Sequence, residues 1–283
     1  MTDRSKWLVS TEWLETNLDN PDIAILDGSW YLAHMNRDPE KEYVEAHIPG
    51  ALFFDIDKIA DLSHDLPHML PPTVVLDQAM TDMGVRDGQK IVIYDGAGLM
   101  IAPRLWWTLH VMGVKDVVIL DGGFPKWVAE NRPTTNAKTI RPQGSFSSTD
   151  GSASVSDFDD ILKAIDDEDI QIVDARSEER WRGLAPEPRP HLSSGRMPGS
   201  RNVPFADLVD ETGCFKDSDY IRQRFIDAGV DLDKPIITTC GSGGTAAMLS
   251  FALDILGCKD VSLYDGAWME YAAKEGVIIE KDV

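Results

Sequence analysis

Cysteine is scarce in this chain. Cys214, Cys240 and Cys258 are the only three among 283 residues, and no two of them form a Cys-x-x-Cys pair. That spacing argues against a disulfide framework and against a structural zinc site. Long apolar runs are missing too, so no window reads as a membrane span. The start, Met1-Thr2-Asp3-Arg4-Ser5-Lys6-Trp7, has no apolar core of the kind a secretory signal carries, and a cytoplasmic protein is expected. Positive charge is also short. Against 48 aspartates and glutamates stand 27 lysines and arginines, a net charge of −21. Nucleic acid, itself a polyanion, is an unfavourable partner for such a surface. If the substrate is an anion, its site must supply positive charge locally, which makes arginines near any reactive group worth finding. What is present, 43% hydrophobic and 27% charged residues, is the composition of a globular protein.

The chain repeats itself at an offset of about 145 residues, the length of one domain. Ile25-Leu26-Asp27 is echoed by Ile172-Val173-Asp174, and His47-Ile48-Pro49-Gly50-Ala51 by Arg196-Met197-Pro198-Gly199-Ser200. The run from Ile91 to Gly98 is echoed by the run from Ile236 to Gly243, and Leu120-Asp121-Gly122-Gly123 by Tyr264-Asp265-Gly266-Ala267. Within each copy, short apolar runs alternate with segments of helical spacing. Ile23–Asp27, Ile91–Tyr94 and Val117–Leu120 read as strands. Val75, Leu76, Ala79, Met80 and Met83 recur at helical spacing up to Gly84, and Ile101–Met112 forms another helix. In the second copy Ser156 is placed to cap a helix over 157–165, and Thr245–Leu256 follows as a further helix. Strands joined by helices predict an α/β fold with two tandem domains, each a parallel sheet flanked by helices. The expected boundaries are 7–135, a linker over 136–154 containing Pro142, Gly144 and Gly151, and 155–283.

One run carries the chemistry: Ile236-Ile237-Thr238-Thr239-Cys240-Gly241-Ser242-Gly243-Gly244-Thr245-Ala246. A strand ends at a cysteine, a Gly/Ser turn follows, and a helix begins at once. Main-chain N–H groups of such a turn and the positive helix end both favour thiolate, the reactive form of cysteine. Ligands of open α/β sheets bind beyond the carboxyl ends of the strands, where Cys240 falls. A cysteine at a strand end is also commonly a small buried hydrophobe, and the repeat weighs against that reading. The position matching Cys240 in the first copy is Asp95, a carboxylate expected to stabilise its own turn. The first domain is therefore expected to be non-catalytic, serving as one wall of an interdomain cleft.

Along nearly its whole length the chain resembles the two-domain rhodanese family of sulfurtransferases. Cys240-Gly241-Ser242-Gly243-Gly244-Thr245 is similar to the Cys-Gly-Ser-Gly-Val-Thr loop of members that act on 3-mercaptopyruvate. Members that act on thiosulfate carry a basic Cys-Arg-Lys-Gly-Val-Thr loop instead. Gly244 departs from the family's valine, which implies a looser loop. The segment from Arg180 to Arg189 resembles the one whose first and last arginines hold the substrate, with Arg182 an additional charge of unassigned use. Asp55-Ile56-Asp57 and Pro67-His68-Met69-Leu70-Pro71 resemble first-domain segments whose acid, Asp57, and histidine, His68, work with the loop serine, Ser242.

The resemblance implies sulfur transfer from an anionic small-molecule donor to a thiol such as thioredoxin, or to cyanide, through a persulfide on Cys240. It implies no metal and no organic cofactor. Catalysis would fall to Cys240, Ser242, His68 and Asp57, and substrate binding to Arg180, Arg189, Gly241, Gly243, Gly244 and Thr245. The residue chemistry agrees, since a guanidinium binds a carboxylate through two parallel hydrogen bonds. Three alternatives stand beside this reading. A cysteine phosphatase or arsenate reductase would need Cys-x₅-Arg, and Ala246 stands at that arginine's position. A thiosulfate sulfurtransferase would prefer a basic loop. A non-catalytic binding module would have no use for the Cys, Ser and Arg set.

Overall fold

The computed structural model describes residues 3–149 and 154–282; residues 150–153, part of the expected linker, lie outside the described residues. By internal packing the chain divides into two units. The first comprises Met1–His64, Leu70–Ser152 and Val209–Phe215, and the second Asp65–Met69, Ala153–Leu208 and Lys216–Val283.

The first unit is built on β1 (Leu8–Val9), β2 (Ile23–Asp27), β3 (Ala51–Phe53), β4 (Lys90–Tyr94) and β5 (Val117–Leu120), in the order β1-β5-β4-β2-β3. All neighbours run parallel. Every residue of β2 and β5 is buried, as expected of strands covered on both faces. The covering helices are α1 (Thr11–Thr16), α2 (Pro39–Glu45), α3 (Thr73–Asp82), α4 (Ala102–Val111) and α5 (Gly123–Ala129). Gly84, at φ +80°, closes α3 through bonds from its N–H to Thr81 O and from Val85 N–H to Met80 O, a Schellman end. Two further segments complete this unit. Gly144 N–H donates to Thr81 O and Ser145 N–H to Val85 O, which lays that stretch along the end of α3. The loop Val209–Phe215 closes on itself by an antiparallel bridge between its end residues, and Phe215 N–H donates to Asp121 Oδ1 at 2.8 Å.

The second unit repeats the design with β6 (Ser154–Ser156), β7 (Gln171–Asp174), β8 (Arg201–Asn202), β9 (Ile236–Thr239) and β10 (Val261–Tyr264). Their order, β6-β10-β9-β7-β8, is that of the first sheet shifted by five strands, again all parallel. Its helices are α6 (Phe158–Asp166), α7 (Glu178–Trp181), α8 (Ser218–Asp227), α9 (Ala246–Leu256) and α10 (Ala267–Tyr271). Two tandem α/β domains are thus present, as the repeat predicts. One local expectation fails. Ser156 does not cap α6: it ends β6, and its hydroxyl pairs with that of Ser262 on β10 at 2.7 Å. The cap is Asp157, whose carboxylate accepts Asp160 N–H at 3.0 Å while Asp160 reaches back to Asp157 N–H. Pairing with β10 has claimed the serine. No helix among the described residues is long and apolar enough to cross a membrane.

Candidate active site

β9 lies in the middle of its sheet, between β10 and β7, and its four residues are all buried. Cys240 follows directly and is 2% exposed. The loop after it is half-buried at Gly241 and Ser242 and buried at Gly243 and Gly244. Gly243 sits at φ +81°, a backbone region that costs an L-residue about 1–2 kcal/mol, so glycine is favoured there. Gly244 shows no such φ. Thr245 occupies the cap position of α9 without a side-chain capping bond.

The carbonyls of Cys240 and Gly241 accept the N–H groups of Trp268 and Met269, at 2.9 and 3.0 Å, at the start of α10. Because a trans peptide holds its C=O and N–H antiparallel, the N–H groups of Gly241 and Ser242 face away from α10. The first unit shows what the same loop does with such groups. There Asp95 Oδ1 accepts Ala97 N–H at 2.8 Å, and Oδ2 accepts those of Ile101 and Ala102 at 2.7 Å each. Asp95 thus stabilises its own turn, as expected, and the loop gathers main-chain donors around a negative charge. The matching donors in the second unit belong to Ser242, Ala246 and Ala247. None of these three has an acceptor among the described residues.

Of the two predicted arginines, Arg180 reaches this loop directly and Arg189 is coupled to Cys240 by charge. Arg180, on α7, places Nη2 3.1 Å from where a Cβ on Gly241 would stand, so the absence of a side chain at Gly241 admits the guanidinium. Its charge is answered by buried Glu187, with Nη2–Oε2 at 2.5 Å and Nε–Oε1 at 3.3 Å. Arg189 is half-buried, and its side chain makes no hydrogen bond or ion pair among the described residues. Burial first, and then the neighbouring Arg180, press its guanidinium below the ordinary arginine range, while Glu187 and Cys240 act the other way. Two close guanidinium groups, one of them unpaired, form a place where an anion is stabilised.

Behind them lies a buried network that the sequence reading did not anticipate. Arg176, 1% exposed, grips Asp174 by Nε and Nη2, donates to Glu187 Oε1 at 2.9 Å and to Gly195 O at 2.7 Å, and stacks over Trp268 at 4.1 Å. Burial works against its charge, yet Asp174 and Glu187 outweigh this and hold it above the ordinary value. Asp174, Arg176, Glu187 and Arg180 therefore alternate in sign from the end of β7 to the loop. The signal was present in the repeat: Arg176 stands where the first copy has Ser29. In that copy Ser29 instead donates to Asp27, whose carboxyl is driven by burial up to about 6.

The remaining predicted residues fall as follows. His68 is 5% exposed, has φ +58°, and lies in the segment Asp65–Met69, which packs as part of the second unit. Asp57 belongs to the first unit, is exposed, and accepts Trp30 Nε1 at 2.9 Å. Arg182 pairs with Asp282 at 2.9 Å and Glu178 at 3.3 Å on the surface of the second unit. Among the described residues no three His, Cys, Asp or Glu side chains gather as a metal ion would need.

The model of the rhodanese-like domain matches this chain twice, at residues 10–130 and 157–274. The chain belongs to the rhodanese family. A curated relative, the 3-mercaptopyruvate sulfurtransferase of Escherichia coli K12, is 39% identical over 275 residues, covering 97% of this chain and 98% of that protein. The thiosulfate sulfurtransferase of Rattus norvegicus is 36% identical over 271 residues, covering 93% and 91%. Among solved structures, SseA from Escherichia coli, titled as a 3-mercaptopyruvate sulfotransferase with the rhodanese fold, superposes with a TM-score of 0.85 at 38% identity, covering 93% of this chain and 99% of that one. The second rhodanese domain of this chain carries the cysteine; the first carries Asp95 in its place.

Proposed function

We propose that this rhodanese is a 3-mercaptopyruvate sulfurtransferase whose nucleophile is Cys240. One observation carries the reading. Main-chain donors that close on a carboxylate in the first unit have no acceptor among the described residues in the second, where Arg180 lies against the loop and Arg189 is coupled by charge to Arg180 and Cys240. Relatives named for this activity, similar over nearly the full length, support it.

In the proposed reaction the Cys240 thiolate attacks the thiol sulfur of the donor while Arg180 and Arg189 hold its carboxylate. A sulfur–sulfur bond forms, the carbon–sulfur bond breaks, and the bonding pair leaves on carbon as the enolate of pyruvate. The proton of the donor's thiol ends on the pyruvate methyl group, passed through Ser242 with His68 and Asp57 assisting. The N–H groups of the loop, Gly241, Gly243, Gly244 and Thr245 among them, stabilise the charge on the terminal sulfur. A thiol acceptor such as thioredoxin, or cyanide, then removes that sulfur, giving covalent catalysis in two half-reactions. No metal or organic cofactor enters the scheme. The catalytic unit is assigned to 155–283 and the non-catalytic one to 7–135. Three cysteines that are all free thiols suit a reducing, cytoplasmic setting.

The neutral side chains at Gly241 and Ser242 favour a monoanionic 2-keto acid over the thiosulfate dianion. Measuring kcat/KM for both donors with cyanide as acceptor tests this. Mercaptopyruvate is expected to exceed thiosulfate by at least about a hundredfold, the worth of one or two charged contacts. Equal values, or preference for thiosulfate, would overturn the assignment of donor.

A further inference from the structure

The second thiol of interest is Cys214, which the proposed reaction does not use. It lies in the loop Val209–Phe215 of the first unit, and Lys126 Nζ, on α5, donates a hydrogen bond to its Sγ at 3.2 Å. The surroundings are shaped for the pair. Gly122, at the turn between β5 and α5, has φ +88°, and a Cβ there would stand 3.1 Å from Cys214 Sγ and 2.5 Å from Lys126 Cδ. Any side chain at that position would push the lysine and the sulfur apart. The loop is held from both ends of the contact: Asp210 Oδ1 accepts Cys214 N–H at 3.1 Å, and Asp121 accepts Phe215 N–H. Both Cys214 and Lys126 are half-buried rather than sealed in the core.

We propose that Cys214 and Lys126 form a peroxide-reactive site, separate from Cys240, in which a hydroperoxide oxidises Cys214 to a sulfenate held by the lysine. The sulfur, as thiolate, attacks the terminal oxygen of the hydroperoxide. An S–O bond forms, the O–O bond breaks, and sulfur is oxidised by two electrons as the peroxide is reduced. The departing hydroxide or alkoxide takes a proton from the Lys126 ammonium and leaves as water or alcohol. The proton of the new sulfenic acid returns to the lysine, which leaves a sulfenate–ammonium pair. Cys258 is the internal reference: it is also half-buried, burial pushes its thiol up against the opposing charge of Arg222, and among the described residues no lysine hydrogen-bonds its sulfur.

The test uses the full chain carrying Cys240→Ser, so that only Cys214 and Cys258 are thiols. Hydrogen peroxide is added with dimedone, which traps sulfenic acids, and peptide mass spectrometry follows each site with time. Trapping at Cys214 is expected to run at least about tenfold faster than at Cys258, as an adjacent cation does for thiol reactions. Lys126→Met is expected to remove that advantage and Lys126→Arg to keep most of it; Lys126→Gln replaces the methionine variant should its thermal melt show loss of fold. Equal rates at the two cysteines, or a Cys214 rate untouched by loss of the lysine charge in a folded variant, would overturn the proposal.

Discussion

Arg180 donates to Glu187 at 2.5 Å, and the same carboxylate takes a second bond from buried Arg176 at 2.9 Å. One glutamate thus fixes the guanidinium that lies against Gly241 and balances another that solvent never reaches. Removing its charge leaves Arg176 with Asp174 alone and frees Arg180 to swing. Glu187→Gln is expected to cost about 2–3 kcal/mol of stability in urea titrations, since a buried ion network loses one member. It should also raise KM for mercaptopyruvate more than it lowers kcat, because the proposed role of Arg180 is in binding. A variant that loses stability but keeps the wild-type KM would show that the glutamate serves the fold only.

Arg189 differs, because among the described residues no carboxylate pairs with it. Arg189→Ala is expected to raise KM for mercaptopyruvate by about tenfold to a hundredfold, the worth of a charge-assisted bond. Stability should change by less than about 0.5 kcal/mol, as for a substitution that breaks no native contact. Steady-state kinetics and a thermal melt measured side by side check both halves.

Asp27 gives the first unit a pH signature. Its folded pKa is raised to about 6 by burial, against 3.8 as the ordinary value. The folded state therefore holds a proton that the unfolded state has lost between about pH 4 and 6. This contribution is fully present below the lower value and is lost as pH rises through the upper one. Relative to Asp27→Asn, the wild type is expected to gain about 1–2 kcal/mol of stability on going from pH 7 to pH 5. The variant carries the same background charge, so the difference isolates this carboxyl. Parallel pH profiles for the two proteins would contradict the assignment.

The net charge of −21 sets a further expectation. Self-repulsion opposes compaction, and added salt screens it over about 10 Å at 0.1 M. Melting temperature should rise as sodium chloride increases from 0.05 to about 1 M, even though exposed ion pairs such as Lys41–Glu45 weaken. A falling melting temperature would mean that surface pairs outweigh the net repulsion.

Much of this molecule was legible in its residues. Uninterrupted apolar runs such as Ile23–Asp27 and Val117–Leu120 mark central parallel strands without ambiguity. The repeat carried the rest of the architecture. Element ends were harder. The helix inferred from Val75 onwards begins at Thr73, because Thr73 and the exposed Val74 lie off the buried face and add nothing to its apolar period. Ser156 and Asp157 are both good caps, and only pairing with β10 decides between them. The site divides along a similar line. Cys240 and its loop announce themselves by local pattern, whereas the burial of Arg176 and Glu187 depends on packing that no short window records. Lys126 and Cys214 are 88 residues apart, and nothing in either segment points to the other.

The most direct test follows sulfur itself. The protein is incubated with 3-mercaptopyruvate, freed of excess donor, and weighed intact and after digestion. The account predicts a gain of one sulfur atom on the peptide holding Cys240, removed by cyanide as thiocyanate and absent from Cys240→Ser. Sulfur retained on Cys214 or Cys258 instead, or sustained turnover by the serine variant, would contradict it.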